Sequence, residues 1–315
     1  CFSDTWSSHK NLCCGIKVSL KQAGDQKKRS KRMSLTKCHI FIFLAFFLQR
    51  KYAIQTIINL MNQYCRTEKM RGLNPDTYVY KYIRLEYLLS MLKDQKLRVD
   101  KVSTWEDPYE NFFMKVDFYT YASFYKNNVS ISTEDISKRL YGQSWTLKEE
   151  SDAMWRIYSS KEGRIKEKAV KVKIKVDSLF SLVYTEDHCM ATTSIGEVQY
   201  KTANEIEEWR NSLEKKNPSI DFPKFSEKCL FMKRDSFQHE EEVRIIISEA
   251  TDKPVKDFLE FDIPNINIFE EFLLDPRLNQ EDIKEAIQLI SGCGVKKELI
   301  ERSILYDFVP KSIKL

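Results

Sequence analysis

The densest run of charged side chains in the sequence is His239-Glu240-Glu241-Glu242-Val243-Arg244. If this segment is extended, Glu240, Glu242 and Arg244 share one face, because side chains alternate along a strand, and the two carboxylates lie about 7 Å apart. Such a pair can hold a sugar hydroxyl and stabilise a developing oxocarbenium ion in glycosyl transfer. The pattern also suits the solvent-exposed start of a strand with a structural ion pair. Such a pair contributes little to stability when it is exposed. From the residues alone, both interpretations stay open.

Hydroxyl and aromatic side chains gather in a second segment, where Ser144-Trp145-Thr146 precedes Met154, Trp155 and Tyr158. Aromatic rings beside hydroxyls can stack a flat ligand ring and hydrogen-bond its polar edge. Ordinary core packing is the alternative, because Thr146-Leu147-Lys148-Glu149 has the pattern of a capping box. That pattern predicts a helix over residues 147–161, with Thr146 as its cap.

A third segment, Trp105-Glu106-Asp107-Pro108-Tyr109-Glu110, is predicted to be a turn, because Pro108 lacks a donor and favours an extended preceding residue. Its carboxylates suit a ligand or a metal, and a capped turn explains them as well. His188 and Cys189 have no partners at metal-ligand spacing, so no metal site is predicted.

The elements that must position these groups follow from hydrophobic periodicity. Residues 170–176 alternate as a half-exposed strand does, but the segment could also extend into a helix through Leu182. Irregular alternation of elements and the lack of a glycine-rich phosphate loop exclude a Rossmann-like sheet. The predicted fold class is α+β, a single domain with a mixed, curved β-sheet flanked by helices. The predicted strands are 78–83, 97–102, 170–176, 196–200, 243–247, 270–274 and 303–306, and the further helices are 84–96, 203–214 and 280–290.

Charge and cysteine content change near Met70. Residues 1–69 hold 13 Lys and Arg against 3 Asp and Glu, whereas the rest of the chain holds 38 against 43. Five of the eight cysteines precede Met70, and the three that follow are too widely spaced for a disulfide framework. The basic excess therefore belongs to the leader, and no nucleic-acid partner is predicted for residues 70–315.

Three interpretations of residues 1–69 compete: a signal or membrane anchor, a basic amphipathic arm over 50–65, and upstream sequence read through from a wrongly chosen start. The apolar run Cys38–Leu48 follows basic residues as in a signal sequence. Its 11 residues are fewer than the roughly 20 that span a bilayer, and no small-x-small site follows. The charge reversal and missing initiator Met favour the third interpretation. We expect a non-native or disordered leader, and no membrane partner if the leader is not native.

The motifs of residues 70–315, taken in order, resemble a bacterial family of uncharacterised proteins, domain of unknown function 2971. The resemblance covers most of 70–315 and none of 1–69. It implies a bacterial or phage cytoplasmic protein with no established activity. The motifs that carry it are Tyr80-Lys81-Tyr82, Trp105–Glu110, Ser144-Trp145-Thr146, Met154–Tyr158 with Gly163, Ile195–Tyr200, Lys233…Phe237–Arg244, Asp275-Pro276-Arg277 and Ser303.

A further resemblance lies in the order of a first strand and helix, a Ser/Thr-bearing middle segment and a strand opened by Glu-x-Glu. This order is similar to the layout of ADP-ribosyltransferases, which bind NAD across a split sheet. The resemblance implies that Glu242 is the catalytic glutamate and Glu240 its companion. It departs from that superfamily at the first strand, which offers Lys81 or Tyr82 where the superfamily has Arg or His.

Together these observations predict a NAD- or nucleotide-using, ADP-ribosyltransferase-like effector in conflict with phage or rivals, with NAD as substrate and no metal. The alternative is a non-catalytic binding or regulatory module in which the Glu-x-Glu-x-Arg motif is structural. The predicted catalytic residues are Glu242 and Glu240. The predicted ligand-binding residues are Lys81, Tyr82, Ser144, Trp145, Thr146, Trp155, Tyr158 and Arg244.

Overall fold

The computed structural model describes residues 64–110, 118–122, 127–131, 137–161, 164–165, 167–184, 192–215, 227–249 and 254–310. The chain divides into two compact units, Cys1–Gln63 and Tyr64–Leu315, and every described residue belongs to the second. Most of the predicted leader, including Cys38–Leu48, lies outside the described residues, as do His188 and Cys189. Residues 64–69 are helical, and Arg66 donates hydrogen bonds to Asp177 and Ser181. The predicted origin of the leader stays a prediction.

The second unit combines helices with strands, as its periodicity predicts. The strands are β1 Tyr78–Arg84, β2 Lys96–Lys101, β3 Phe118–Ala122, β4 Asn127–Ile131, β5 Leu140–Thr146, β6 Ser160–Lys161, β7 Arg164–Ile165, β8 Ala169–Lys175, β9 Thr192–Glu197, β10 Gln199–Lys201, β11 Met232–Arg234, β12 Glu242–Ser248, β13 Phe258–Asp262, β14 Phe269–Leu274 and β15 Ile300–Arg302. The helices are α1 Leu85–Asp94, α2 Asp152–Tyr158, α3 Val176–Val183, α4 Ala203–Lys215 and α5 Gln280–Gly292. Short 3₁₀ helices cover Val102–Thr104, Asp235–Glu240, Ile266–Ile268 and Lys297–Leu299.

A mixed sheet organises the unit, and it branches at β5. Its main order is β13-β2-β5-β1-β8-β14-β15, and β12 joins β5 to β9. β14 and β15 are parallel, whereas β1, β5, β8 and β12 pair antiparallel with their neighbours. The predicted α+β class with a mixed sheet is therefore confirmed.

The branch opens a gap beside β5. One edge of β5 pairs with β12 along its whole length. The other edge pairs with β2 near Tyr141 and Gly142, and with β1 only where Thr146 meets Tyr80. Since β1 and β2 pair with opposite ends of the same edge, the sheet splits between them.

Apolar side chains from three helices cover the sheet and form the main core. The spacing in α1 buries Leu85, Leu88 and Leu92, as expected when residues three and four apart share a face. α3 and α5 bury equivalent rows, and all three helices join one cluster with the strands. Each fully buried leucine stabilises the fold by about 1.5–3 kcal/mol, so the helices hold the strands around the gap firmly.

Three predicted elements are wrong in place. The strand predicted over 196–200 divides between β9 and β10, which pair in different sheets. The helix predicted over residues 147–161 covers only Asp152–Tyr158, and Ser151 rather than Thr146 caps it by accepting from the Met154 N–H. Thr146 instead ends β5, because strand pairing with β12 outweighs the local capping pattern. The predicted last strand, 303–306, is displaced to Ile300–Arg302. Across the described ranges, no helix combines the length and hydropathy needed to cross a bilayer.

Candidate functional site

A narrow cleft of about 20 Å³ lies where β1, β5 and the start of β12 meet. Eight of the ten residues predicted for the site line it, so the sequence motifs converge in space. Trp155 and Arg244 are absent from its lining. The complete lining is Tyr80, Lys81, Tyr82, Ser144, Trp145, Thr146, Met154, Tyr158, Glu240 and Glu242.

Strand register brings these motifs together. Thr146 is opposite Tyr80 of β1 on one side and opposite Glu242 of β12 on the other. Its hydroxyl donates to the Glu240 carbonyl at 2.5 Å and accepts from the Lys148 N–H at 3.0 Å. Thr146 therefore fixes the approach of the Glu-x-Glu segment to β1, and this is a strand role rather than the predicted helix cap.

Glu242 is the most strongly bound carboxylate of the cleft. Its Oε1 and Oε2 accept from Arg244 at 2.7 and 2.8 Å, and Lys233 Nζ lies 3.2 Å from Oε2. Burial raises the pKa of Glu242, but Arg244, Lys233 and the Ser144 hydroxyl outweigh it and bring that pKa down to about 2. Glu242 is consequently an anion at every physiological pH.

Glu240 reaches the cleft by a different route from the one predicted. It lies at the end of a 3₁₀ helix, and Glu241 follows in the left-handed region with a φ of 43°. The prediction that Glu240 shares a strand face with Glu242 is therefore wrong. The two carboxylates are brought together by Lys233, whose Nζ lies 2.5 Å from Glu240 Oε2 and 3.2 Å from Glu242 Oε2.

Arg244 lies behind Glu242 rather than in the cleft, so it does not contact a ligand there as predicted. Its side chain is 1% exposed, and it donates to the Leu230 carbonyl at 2.6 Å and to Glu110 Oε1 at 2.7 Å. The Trp105 ring covers the guanidinium at 4.5 Å. Burial lowers the pKa of Arg244, but Glu242 and Glu110 outweigh it and raise that pKa. Arg244 is thus a permanent buried cation that fixes Glu242.

Aromatic rings form the opposite wall. The rings of Tyr82 and Tyr158 stack with centroids 6.1 Å apart, and Tyr158 remains 38% exposed. Trp155 meets the Tyr82 ring edge-on at 4.8 Å from the inner side and is fully buried. Its indole N–H donates to Glu150 at 2.9 Å. Trp155 therefore supports the wall from behind and does not contact a ligand directly, contrary to its predicted role.

Lys81 completes the cleft with an amine. Its Nζ donates to the Ser144 carbonyl at 2.9 Å and lies 5.6 Å from the Trp145 ring centroid. Burial lowers the pKa of Lys81 to about 8, and the charges of Asp100 and Glu242 only partly oppose this shift. The cleft therefore combines a permanent carboxylate with an amine that titrates near neutral pH.

A second, wider cleft of about 470 Å³ is also lined by Glu242. Ser144 and Glu242 line both clefts, whereas Trp105, Asp107 and Arg234 line only the second. Groups bound in the two clefts would thus approach the same carboxylate. Across the described ranges, no three His, Cys, Asp or Glu side chains are grouped so as to hold a metal ion.

Three residues of the site, Tyr80, Met154 and Lys233, are not among those predicted to catalyse or to bind a ligand. Tyr80 and Met154 line the cleft, although their types and spacing are typical of core. Lys233 Nζ lies within 3.2 Å of Glu110, Glu240 and Glu242, yet it precedes the motif by a 3₁₀ turn that no periodicity predicts. In the sequence, Lys233 stands out only as the first residue of the family motif that ends at Arg244.

Comparison with known proteins finds a family model that matches part of the chain. Residues 154–245 match the family model for a protein of unknown function, DUF2971. The predicted resemblance is confirmed over this segment. The segment holds Tyr158, Glu240 and Glu242 but does not include β1 or β5 of the cleft. No curated protein matches the chain.

Two solved structures are similar to the chain at low levels. DarT of Thermus sp. 2.9 in complex with NAD+ is 8% identical with a TM-score of 0.33, covering 74% of this chain and 98% of the DarT chain. The same protein in complex with carba-NAD+ is 8% identical with a TM-score of 0.31, covering 73% and 96%.

Proposed function

We propose that this cleft binds the nicotinamide riboside end of NAD and transfers ADP-ribose to an acceptor. The observation that carries the proposal is the permanent anion of Glu242 facing a wall of stacked tyrosines. An aromatic wall suits the flat nicotinamide ring. A fixed carboxylate opposite that wall suits a ribose whose hydroxyls need an acceptor.

The charge state of Glu242 determines the role it can take. A carboxylate with a pKa near 2 is a weak base, so it cannot remove a proton effectively near neutral pH. It can accept a hydrogen bond from a ribose hydroxyl and stabilise positive charge as it develops at C1′. Arg244 and Lys233 hold it in place beforehand, so little reorganisation is needed during the reaction.

The bond changes are those of glycosyl transfer. The N-glycosidic bond between C1′ and nicotinamide breaks, and its electron pair leaves with the ring, which becomes neutral. The acceptor X–H forms a bond to C1′ and releases one proton. Stacking between Tyr82 and Tyr158 provides a surface against which the leaving ring is oriented.

Incubation with radiolabelled NAD tests the proposal by following release of nicotinamide and label on acceptor protein. We expect wild type to turn NAD over and Glu242→Gln to lose at least about 100-fold in kcat, the scale for removing one preorganised electrostatic group. Glu241→Gln is the matched control, because Glu241 is exposed and pairs only with Lys148 at the surface. Absence of both NAD binding and turnover by folded wild type contradicts the proposal.

One observation favours a second function, a non-catalytic module. Both oxygens of Glu242 already accept from Arg244, and Arg244 also bonds Glu110 and the Leu230 carbonyl. Such a network can brace β12 against the 105–110 turn without any ligand. Under this alternative, Glu242→Gln lowers the free energy of unfolding while calorimetry of wild type with NAD gives no heat of binding.

A further inference from the structure

The amine of Lys81 lies in the same cleft as Glu242 but is bound differently. Glu242 has three cationic or hydroxyl partners, whereas the polar contact of Lys81 Nζ is the Ser144 carbonyl at 2.9 Å. Within the part of the chain that the structure describes, Lys81 Nζ contacts the Ser144 carbonyl and the Trp145 ring, and no ion pair joins it to a carboxylate. An ammonium carries three N–H donors, so most of the hydrogen-bonding capacity of this group remains available to the cleft.

We infer that Lys81 is the proton acceptor of the proposed transfer, taking the proton from the acceptor X–H as X bonds to C1′. The inference rests on the proposed function and assigns the step that Glu242 cannot perform. The neutral amine lone pair of Lys81 accepts the proton and becomes an ammonium, which returns the proton to solvent. Atoms and charge therefore balance with NAD and the acceptor alone.

The surroundings of Lys81 favour its neutral form without abolishing the charged one. Desolvation in the wall between β1 and β5 lowers its pKa to about 8. The ionisable groups that face it are Asp100 from β2, Glu242 from β12 and Glu240 from the 3₁₀ helix, with Tyr80, Tyr82 and Tyr158 around the same cleft. Burial raises the pKa of Tyr158 to about 12, so this phenol stays protonated and does not compete as a base.

The position of Lys81 on the sheet places its amine close to Glu242. Thr146 of β5 pairs with Tyr80 of β1 on one side and with Glu242 of β12 on the other. Lys81 is the residue that follows Tyr80, so it lies next to the point where the three strands meet. The Trp145 ring beneath its Nζ at 5.6 Å limits the directions the side chain can take. The amine and the carboxylate consequently border one volume from different strands, which suits a base and an electrostatic stabiliser acting on one centre.

An arginine substitution separates proton transfer from positioning. Lys81→Arg keeps the positive charge and the donor to Ser144 but cannot lose a proton near neutral pH. We expect the wild-type kcat to rise with pH towards a plateau with an apparent pKa near 8. We expect Lys81→Arg to lose that rise and about 100-fold in kcat, with KM for NAD changed little. Lys173→Arg is the control, because Lys173 lies over Tyr78 outside the cleft.

A second measurement does not depend on turnover. Labelling with a small amine-reactive acylating reagent between pH 7 and 10, read by mass spectrometry, should modify Lys81 at lower pH than Lys173, and NAD should protect Lys81. A Lys81 amine that stays protonated up to pH 10 overturns the inference. So does a Lys81→Arg enzyme with the wild-type pH profile while wild type turns over NAD, and this result leaves the proposed function intact. Folded wild type without NAD turnover overturns both.

Discussion

Arg244 donates two hydrogen bonds to Glu242, at 2.7 and 2.8 Å, from two positions further along β12. Both side chains are nearly inaccessible, at 1% and 4% exposed. This buried pair orients the carboxylate towards the cleft while the guanidinium remains on the inner side. The pair therefore serves both the fold and the candidate site.

Removing the guanidinium of Arg244 should show how much the pair contributes to the free energy of unfolding. Arg244→Met leaves Glu242 and Glu110 without their strongest partner, and breaking a buried ion pair by removing one member costs about 3–5 kcal/mol. We expect urea denaturation to give a loss of this size. Arg210→Ala is the control, because its pair with Glu207 is about half exposed and should cost less than about 1 kcal/mol. Equal losses in the two variants contradict a buried pair.

Acid should destabilise the protein through Glu242. Its pKa falls from the ordinary 4.5 in the unfolded chain to about 2 in the fold. A depressed folded-state pKa gives stability that is fully present above the unfolded value and is lost as pH falls towards the folded value. We expect the free energy of unfolding to fall between about pH 4.5 and 2, by on the order of 3 kcal/mol from this group. Glu242→Gln should lack that component, and an identical pH dependence in the variant counts against the assignment.

Part of this site follows from residue types and order. β1, β8, β12 and β14 were predictable because they are rich in β-branched and aromatic residues. In the structure all four strands belong to one sheet. β5 was not, because Thr146 begins a local pattern typical of a helix start, and only pairing with β12 makes it a strand. The Glu240 position was also hidden, since a 3₁₀ turn and the left-handed Glu241 depend on tertiary contacts. Non-local pairing therefore limits prediction where the cleft forms.

The tyrosine wall should act on ligand affinity and little on folding. Tyr158 is 38% exposed, so Tyr158→Ala removes a stacking surface at small cost to the core. An aromatic contact contributes about 0.5–1.5 kcal/mol, so calorimetry should show NAD binding weakened about 2- to 13-fold. Tyr158→Phe keeps the ring and should bind like wild type. Unchanged affinity in Tyr158→Ala indicates that the ligand does not stack on this wall.

The position of Tyr158 depends on Arg277, which anchors the end of α2. Arg277 Nη2 donates to the Trp155 carbonyl at 3.0 Å and to Ser159 Oγ at 2.5 Å, and Asp275 Oδ2 holds it at 2.6 Å. These contacts satisfy the last turn of a seven-residue helix, whose terminal carbonyls have no partner within the helix.

Arg277→Ala should therefore weaken the wall indirectly. The loss of charged hydrogen bonds, each contributing about 1.5–3 kcal/mol, should speed amide hydrogen exchange in α2 and raise KM for NAD more than it lowers kcat, because Glu242 and Lys81 are untouched. Arg302→Ala is the comparison, since Arg302 pairs with Asp307 at the surface and also reaches the Pro276 carbonyl without contacting α2. An Arg277→Ala protein with normal exchange in α2 would show that the helix needs no anchor, whereas faster exchange with an unchanged KM would separate α2 from ligand binding.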